Sequence, residues 1–391
     1  MMRNTIEYLL KHNIFLQKAY QTVLSAFFRL IGIFIRTDDR LILFSAFNGK
    51  NYNDSPKAVY EYMKMLPECA SFRFVWAFEH PNQFPKPDCE KVKTDTWKYF
   101  ITALKAKYWV TNVNIGRGLH FKKKATVYLN TWHGTGPKKG GNAVNGRKDY
   151  NFSDIDILCC DGEYLKEIMI RDFGASEENI LMCGRPREDE LYHATPEKVR
   201  SCREKLNLPP DKKVILYAPT WRDSKNGGKS YPLDLPIHPE LWEKELKDDY
   251  IVLIRAHSLV TDLMKINYTS FIRNVSAHPD INDLYLASDL LISDYSSAFT
   301  DYSILSKPML CFAYDYASFD RERGLYFDLR DHFDVLFTED ELLQKIKNLD
   351  SGREREIAEK YRNHFIRRQD NATQQCVRRL LELSQRQKSG E

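Results

Sequence analysis

The sequence predicts an α/β fold built from two Rossmann-like domains that face each other across a cleft. Three observations carry this. From Asp39 onward short apolar runs alternate with amphipathic stretches, the pattern of strands and covering helices in a mostly parallel sheet. The 391 residues exceed what one hydrophobic core usually serves. The alternation also starts afresh after a polar stretch that contains Pro209 and Pro210.

Taken in order, "RLILFSAF" reads as a strand, "SPKAVYEYMKML" as a helix entered through Ser-Pro, and "FRFVWAFE" as the next strand. "TWKYFITALKAK" is helical and leads into the strands "YWVTNV" and "TVYLNTW". "DILCCDG", "EYLKEIMIRDFG" and "NILMCG" follow as strand, helix and strand. A second series starts at "VILYAPTW" and runs through "YIVLIRAH", "FIRNVS", "INDLYLAS", "DLLISD", "SSAFTDYSILS" and "PMLCFAY". The boundary falls near residue 200, so residues 37–200 form a first domain. Residues 201–391 form a second domain with a charged helical tail from Thr338. Ligands are expected at the carboxyl ends of the strands.

Residues 1–36 stand apart. In "YQTVLSAFFRLIGIFI", Tyr20, Val23, Leu24, Phe27, Ile31, Phe34 and Ile35 recur at helical spacing, with Arg3, Lys11, Lys18, Arg29 and Arg36 around them. Arg29 interrupts the stretch, which is shorter than the ~20 apolar residues of a spanning helix, and no small-residue cleavage site follows. The expectation is an amphipathic helix on an anionic membrane surface. The competing expectation is a helix packed on the protein's own core.

With 58 Lys+Arg against 54 Asp+Glu the net charge is only +4, which argues against nucleic acid as a partner. The eight cysteines include no CxxC pair, so buried reduced thiols in a cytosolic protein are expected, and "NFS", "NYT" and "NAT" then carry no glycosylation meaning. There is no HExxH, paired Cys/His spacing or DxD cluster, no GxSxG, and no GxGxxG after a strand. Neither a metal nor a cofactor is expected.

Five loops follow predicted strands. In "NTWHGTGPKKGG", His133 precedes Gly134, Thr135 and Gly136, which let backbone approach a ligand, with Lys138 and Lys139 able to meet an anion. In "CGRPRED", either Arg185 or Arg187 could pair with phosphate, and Arg187 with Glu188 or Asp189 could equally form a structural ion pair. "YAPTWRDS" sets Thr220, Trp221 and Arg222 beyond a strand, an aromatic plus a guanidinium that suits a nucleotide. "VLIRAHS" directs Arg255 and His257 to one face. "DLLISDYSSAF" brings Asp294, then Ser296 and Ser297 at a helix start, where hydroxyls and N–H groups receive phosphate or simply cap the helix.

Together "TWHGT", "CGRPRED", "YAPTWRD", "RAHS", "DINDLYLASDLLISDYSSAFTDYSILSKPML" and "RGLYFD" resemble the ordered motifs of the CDP-glycerol glycerophosphotransferase family of teichoic acid synthesis, over residues 40 to 330. The chain departs from that pattern at Gly136, Pro137 and Lys138, where Pro-Leu-Lys is usual. It also has Ser258 for a proline, Glu188 for an asparagine, and "DLRDHF" where a Pro-Gly segment is common. The resemblance implies a GT-B type fold and an enzyme peripheral to the cytoplasmic face of the cell membrane. It would move glycerol phosphate from CDP-glycerol to a hydroxyl of a lipid-linked acceptor and release CMP. Such a reaction needs a base and groups that hold the diphosphate. His133 is then the base, His257 and Arg255 are diphosphate contacts, Ser296 and Ser297 a cradle, and Arg323 an added charge. The alternatives are a CDP-ribitol enzyme of the same fold, a nucleotide-sugar transferase, or a silent membrane-bound assembly factor; retention of both histidines and both serines speaks against silence. Primase against polymerase action, the polymer served (wall teichoic acid, lipoteichoic acid or capsule) and assembly as a homo-oligomer are not legible in the residues.

Overall fold

The computed structural model describes residues 14–220, 222, 236–256, 266–367 and 370–389. The first sheet comprises β1 (Asp38–Ser45), β2 (Arg73–Phe78), β3 (Glu90–Lys93), β4 (Ala106–Thr111), β5 (Val127–Asn130), β6 (Ile157–Cys159) and β7 (Ile180–Leu181), in the order β3-β2-β1-β4-β5-β6-β7. The second comprises β8 (Lys213–Tyr217), β9 (Tyr250–Ile254), β10 (Ile272–Asn274), β11 (Leu290–Ser293), β12 (Met309–Phe312) and β13 (Val335–Leu336), in the order β10-β9-β8-β11-β12-β13. Every pairing in both sheets is parallel.

Burial on both faces explains why the strands read as continuous apolar runs. Along β1, Leu41 and Leu43 enter one core while Ile42 and Phe44 enter the core on the opposite face. Along β8, Val214 and Leu216 face one way and Ile215 and Tyr217 the other. Two strands were not foreseen, β3 and β13. β3 reads "EKVK", with three charges in four residues and only Val92 buried, as suits an edge strand. β13 is two residues long.

Helix α1 (Ile14–Phe34) divides the predicted stripe between two faces. Phe28 is buried, and Leu24, Ile31 and Ile35 pack beside it against the first domain's core. Phe28 stacks on Phe100 at 4.5 Å in helix α2 (Trp97–Lys105). Burying a phenyl ring of this kind contributes about 1.5–3 kcal/mol. The neighbouring face, with Tyr20, Val23, Phe27, Leu30, Ile33 and Phe34, is exposed, Phe34 at 82 %. The face packed on the first domain's core matches the second of the two expectations for this segment. No described helix is long and apolar enough to cross a membrane.

Helix α3 (Glu163–Phe173) covers the first sheet and ends in a left-handed cap at Gly174, φ 65°. The tail, assigned from sequence to the second domain, crosses back. After α4 (Ser351–Phe365), helix α5 (Ala372–Ser389) lays Ala372, Cys376, Val377 and Leu380 into the first domain's core. Asp189 receives the N–H groups of Ala372 and Thr373, each at 2.8 Å, and so fixes where that helix starts. Cys376 Sγ lies 3.2 Å from Cys159 and 3.6 Å from Cys183, three buried thiols at the seam between helix and sheet.

Candidate active site

In each sheet the strand order reverses once, between β1 and β4 and between β8 and β11, and the loops leaving those strands frame the crevice where such folds bind ligands. Most of the sequence-predicted residues gather around these two points.

At the first, β5 delivers Trp132 and His133. Trp132 has φ 52°, an uncommon conformation for a bulky residue. Asn130 Oδ1 accepts its N–H at 2.8 Å, and Trp132 Nε1 donates to Thr135 Oγ1 at 3.0 Å. The turn swings His133 toward the loops after β1 and β4, with its ring 5.9 Å from that of Phe47. His133 Nδ1 donates to the Asn112 carbonyl at 2.8 Å. A carbonyl only accepts, so this bond assigns the proton to Nδ1 and the lone pair of the neutral ring to Nε2. Nε2 has no hydrogen-bond partner among the described residues. Burial pushes the His133 pKa below the ordinary histidine value. The Asn112 carbonyl and Asp54 oppose that shift, and the nearby cations Arg187 and Arg185 add to it. The ring is therefore a neutral base at neutral pH, able to take a proton at Nε2.

At the second reversal, Asp294 follows β11 and accepts the N–H groups of Thr220 (2.8 Å) and Tyr295 (2.7 Å). Arg222 pairs with Asp294 at 2.9 Å and Asp315 at 2.7 Å and lies over the rings of Tyr295, Tyr314 and Phe319. Its charge is committed within the second domain. Thr220 Oγ1 and Asn112 Nδ2, one at each reversal, are buried and have no partner among the described residues. Arg255, past β9, donates to the His278 carbonyl at 2.9 Å. Burial lowers its pKa, with Tyr285 and Asp280 opposing the shift, and no carboxylate among the described residues forms an ion pair with it.

The two crevices meet. A Cβ on Gly136 would lie 2.5 Å from the Ser297 N and 2.6 Å from the Ser296 carbonyl carbon, and one on Gly134 (φ 117°) would lie 2.7 Å from Ser297 Oγ. Only glycine lets the histidine loop approach the serine loop this closely. Ser296 Oγ accepts the Ala298 N–H at 3.1 Å at the start of the short helix Ala298–Ser303. A second clasp lies alongside: Lys138 bridges Leu325 in antiparallel fashion, Lys139 N donates to the Gly324 carbonyl at 3.0 Å, and Arg323 Nε donates to the Lys139 carbonyl at 3.1 Å. Trp221 and His257 lie outside the described residues.

Beneath the loops runs a buried ion network whose partners, Asp54 and Asp301, replace the Glu188 or Asp189 that sequence suggested for Arg187. Its Nη1 reaches Asp54 at 2.7 Å and the His133 carbonyl at 3.1 Å, while Nη2 holds both oxygens of Asp301 at 3.0 and 2.9 Å. Arg185 reaches Asp161 (2.6 Å), Glu188 (2.7 Å) and Asp301 (3.3 Å). Burial pulls the Asp301 pKa up, but Arg187 and Arg185 outweigh it and hold the carboxyl below its usual range. Burial pushes Asp161 and Glu188 up, against the pull of Arg185. Asp301 and Asp54 were missed as site residues. For Asp301 the available signal was a lone carboxylate inside the otherwise uncharged "SSAFTDYSIL".

The sequence profile of the CDP-glycerol:poly(glycerophosphate) glycerophosphotransferases matches residues 26–382. The teichoic acid glycerol-phosphate transferase of Staphylococcus aureus is 34% identical over 371 residues, 90% of this chain and 91% of that protein. The teichoic acid poly(glycerol phosphate) polymerase of Staphylococcus epidermidis is 38% identical over 333 residues, 80% of this chain. The match spans only 46% of that longer protein. A solved structure of the wall teichoic acid polymerase TagF, as a histidine-to-asparagine variant, superposes with a TM-score of 0.84 at 32% identity over 96% of this chain and 97% of that one. The same variant soaked with CDPG gives 0.83 at 32% identity over 95% and 97%. The paired parallel sheets are thus those of a GT-B-like fold, and the chain belongs to the CDP-glycerol:poly(glycerophosphate) glycerophosphotransferase family.

Proposed function

We propose that this protein transfers glycerol phosphate from CDP-glycerol to a hydroxyl of a lipid-linked teichoic acid or related cell-surface polymer acceptor, releasing CMP. The observation that carries the reading is the His133 Nδ1 bond to the Asn112 carbonyl, which leaves Nε2 as the basic nitrogen of a ring whose loop packs on Ser296 and Ser297. The first domain serves the acceptor and the second holds the CDP group. His133 Nε2 takes the proton of the acceptor hydroxyl as its oxygen attacks the β-phosphorus. The bond from that phosphorus to the bridging oxygen breaks, and the electron pair leaves with CMP. Arg255 and the Ser296–Ser297 loop meet the diphosphate, and Thr220 Oγ1 offers a further hydroxyl at the same strand ends.

The test is a donor panel of CDP-glycerol, CDP-ribitol and UDP-sugars, read as nucleotide release with a synthetic prenyl-diphosphate disaccharide. CMP release with CDP-glycerol alone is expected; preference for another donor refutes the assignment. His133→Ala should lower turnover by about 10² to 10⁴ with the fold intact, and near-normal turnover in that variant removes the base.

The exposed face of α1 supports a peripheral position on an anionic membrane. Because the opposite face packs on the core, deleting the helix would confound folding with binding. Changing Val23, Ile33 and Phe34 to serine leaves the packed face intact. It should release the protein from anionic vesicles in a sedimentation assay, and undiminished binding would dismiss the anchor.

A further inference from the structure

Three cysteines meet where helix α5 returns to the first sheet. Cys159 ends β6, Cys183 follows β7, and Cys376 lies in the second turn of α5. All three are fully buried. Cys376 Sγ stands 3.2 Å from Cys159 Sγ and 3.6 Å from Cys183 Sγ, and no two of the three sulfurs are more than 4.8 Å apart. A triangle with such sides has its centre at most about 2.4 Å from each sulfur, and metal–thiolate bonds run at about 2.3 Å.

The group is assembled by the fold, since Cys376 comes from 217 and 193 residues beyond its two partners. That separation is why no metal-binding spacing shows in the sequence. The adjacent Cys160 belongs to the core on the other face of the sheet, so only one of the neighbouring pair takes part. Thiolate sulfur selects soft ions such as Cu(I) and Zn(II). Structural zinc takes four ligands in a tetrahedron, whereas no histidine, carboxylate or fourth thiol joins this group among the described residues. Three sulfurs around one point suit a soft monovalent ion of low coordination number.

We infer that Cys159, Cys183 and Cys376 form a three-sulfur site for one Cu(I) ion, which staples the returning tail helix to the first sheet. The site is separate from the transfer reaction and does not rest on it. Because the ion joins three segments that only the folded chain brings together, its binding adds to folding stability. Binding also displaces protons. The hydrogen bonds among the thiols, which pull in opposite directions, act together with burial to hold all three well above the ordinary thiol range, with Cys160 and Asp189 nearby. The Cys183 thiol also donates to the Gly184 carbonyl at 3.2 Å, a bond that the metal replaces. Affinity for the ion therefore rises with pH.

The test titrates the full chain, reduced and stripped of metal, with Cu(I) under anaerobic conditions against a competing Cu(I) chelator. Expected are one tightly held ion per chain, a raised thermal unfolding midpoint, and three sulfur neighbours at about 2.3 Å by X-ray absorption at the copper edge. Cys376→Ala and Cys183→Ala should each weaken binding by more than about a hundredfold, since losing a ligand exceeds the effect of losing an outer partner. Each should also abolish the copper-induced rise in midpoint. Cys160→Ala should change neither. Near-ultraviolet circular dichroism checks each fold, and the two ligand variants lie on different elements, so one can stand if the other fails to fold. Unchanged affinity in a folded ligand variant overturns the inference. So does equal weakening in Cys160→Ala, which would mark adventitious capture by thiols. A tetrahedral Co(II)–thiolate spectrum that vanishes in Cys376→Ala would reveal a fourth ligand and overturn the three-sulfur assignment in favour of zinc.

Discussion

Arg187 and Arg255 both leave the carboxyl end of a strand, and both look in sequence like phosphate contacts. Their surroundings differ completely. Arg187 holds Asp54 and both oxygens of Asp301 and steadies the His133 carbonyl, so its charge is answered by protein. Arg255 donates to a carbonyl and makes no ion pair among the described residues, and burial lowers its pKa against the smaller opposing pull of Tyr285 and Asp280, so no carboxylate among them holds its charge directly. The difference teaches that an arginine at a strand end declares its role through its counter-ions. A paired one ties elements together, whereas one left with a carbonyl is suited to an anion that arrives.

The largest effect that would break this contrast is on stability. Asp301 answers two buried guanidinium groups, Arg187 and Arg185. Asp301→Asn removes that charge and should cost about 3–5 kcal/mol, the range for stripping one partner from a buried ion pair. Denaturant unfolding measures it, with Arg255→Gln as the comparison, expected to change stability little. Equal losses in the two variants would erase the distinction between tie and receptor.

The next effect is on the donor. Arg255→Gln should weaken CDP-glycerol binding by about tenfold to a hundredfold, as expected for loss of a charge-assisted hydrogen bond to phosphate. Calorimetry with CDP-glycerol and with cytidine sharpens the point, since cytidine carries no phosphate and its affinity should be unchanged. Unaltered CDP-glycerol affinity would return Arg255 to a structural role.

The same contrast explains what could be read in the sequence. Apolar runs such as "RLILFSAF" and "VILYAPTW" revealed strands because burial on both faces demands them, and the loops after those strands were legible as a candidate site because parallel sheets of this kind bind ligands there. β3 was hidden because an edge strand buries only Val92 of its four residues. The return of α5 was hidden because helical periodicity tells which face of a helix is apolar but not which sheet receives it; Cys376 meets Cys159 from 217 residues away. The duty of Arg187 was hidden for a like reason, since Asp54 lies 133 residues away and Asp301 lies 114. Ion pairs at that separation have no local signature. Asn112 was equally unreadable as the residue that fixes the His133 tautomer, because its backbone carbonyl does the work and any residue carries one.

The smallest effect concerns the pH dependence of the base. Burial lowers the His133 pKa, with Arg187 and Arg185 adding to the shift. In the proposed reaction the neutral ring is the active form, so a lowered pKa would extend activity toward acid, and the acid limb of kcat/KM should lie below about 6.5, the unperturbed value. Arg187→Gln removes one of the cations and should move that limb upward by about half a unit to one unit, whereas Arg187→Lys keeps the charge and should leave it nearly in place. Arg255→Gln should not move it, because Arg255 is not among the groups that shift His133. The Arg187→Gln profile must be taken at a temperature where near-ultraviolet circular dichroism reports a native fold, since the variant also leaves Asp54 and Asp301 without their shared cation. An acid limb that stays put in folded Arg187→Gln, or that moves as far in Arg187→Lys, would mean that Arg187 acts on the base through geometry alone. The tie across the domains would then carry no electrostatic message to the histidine.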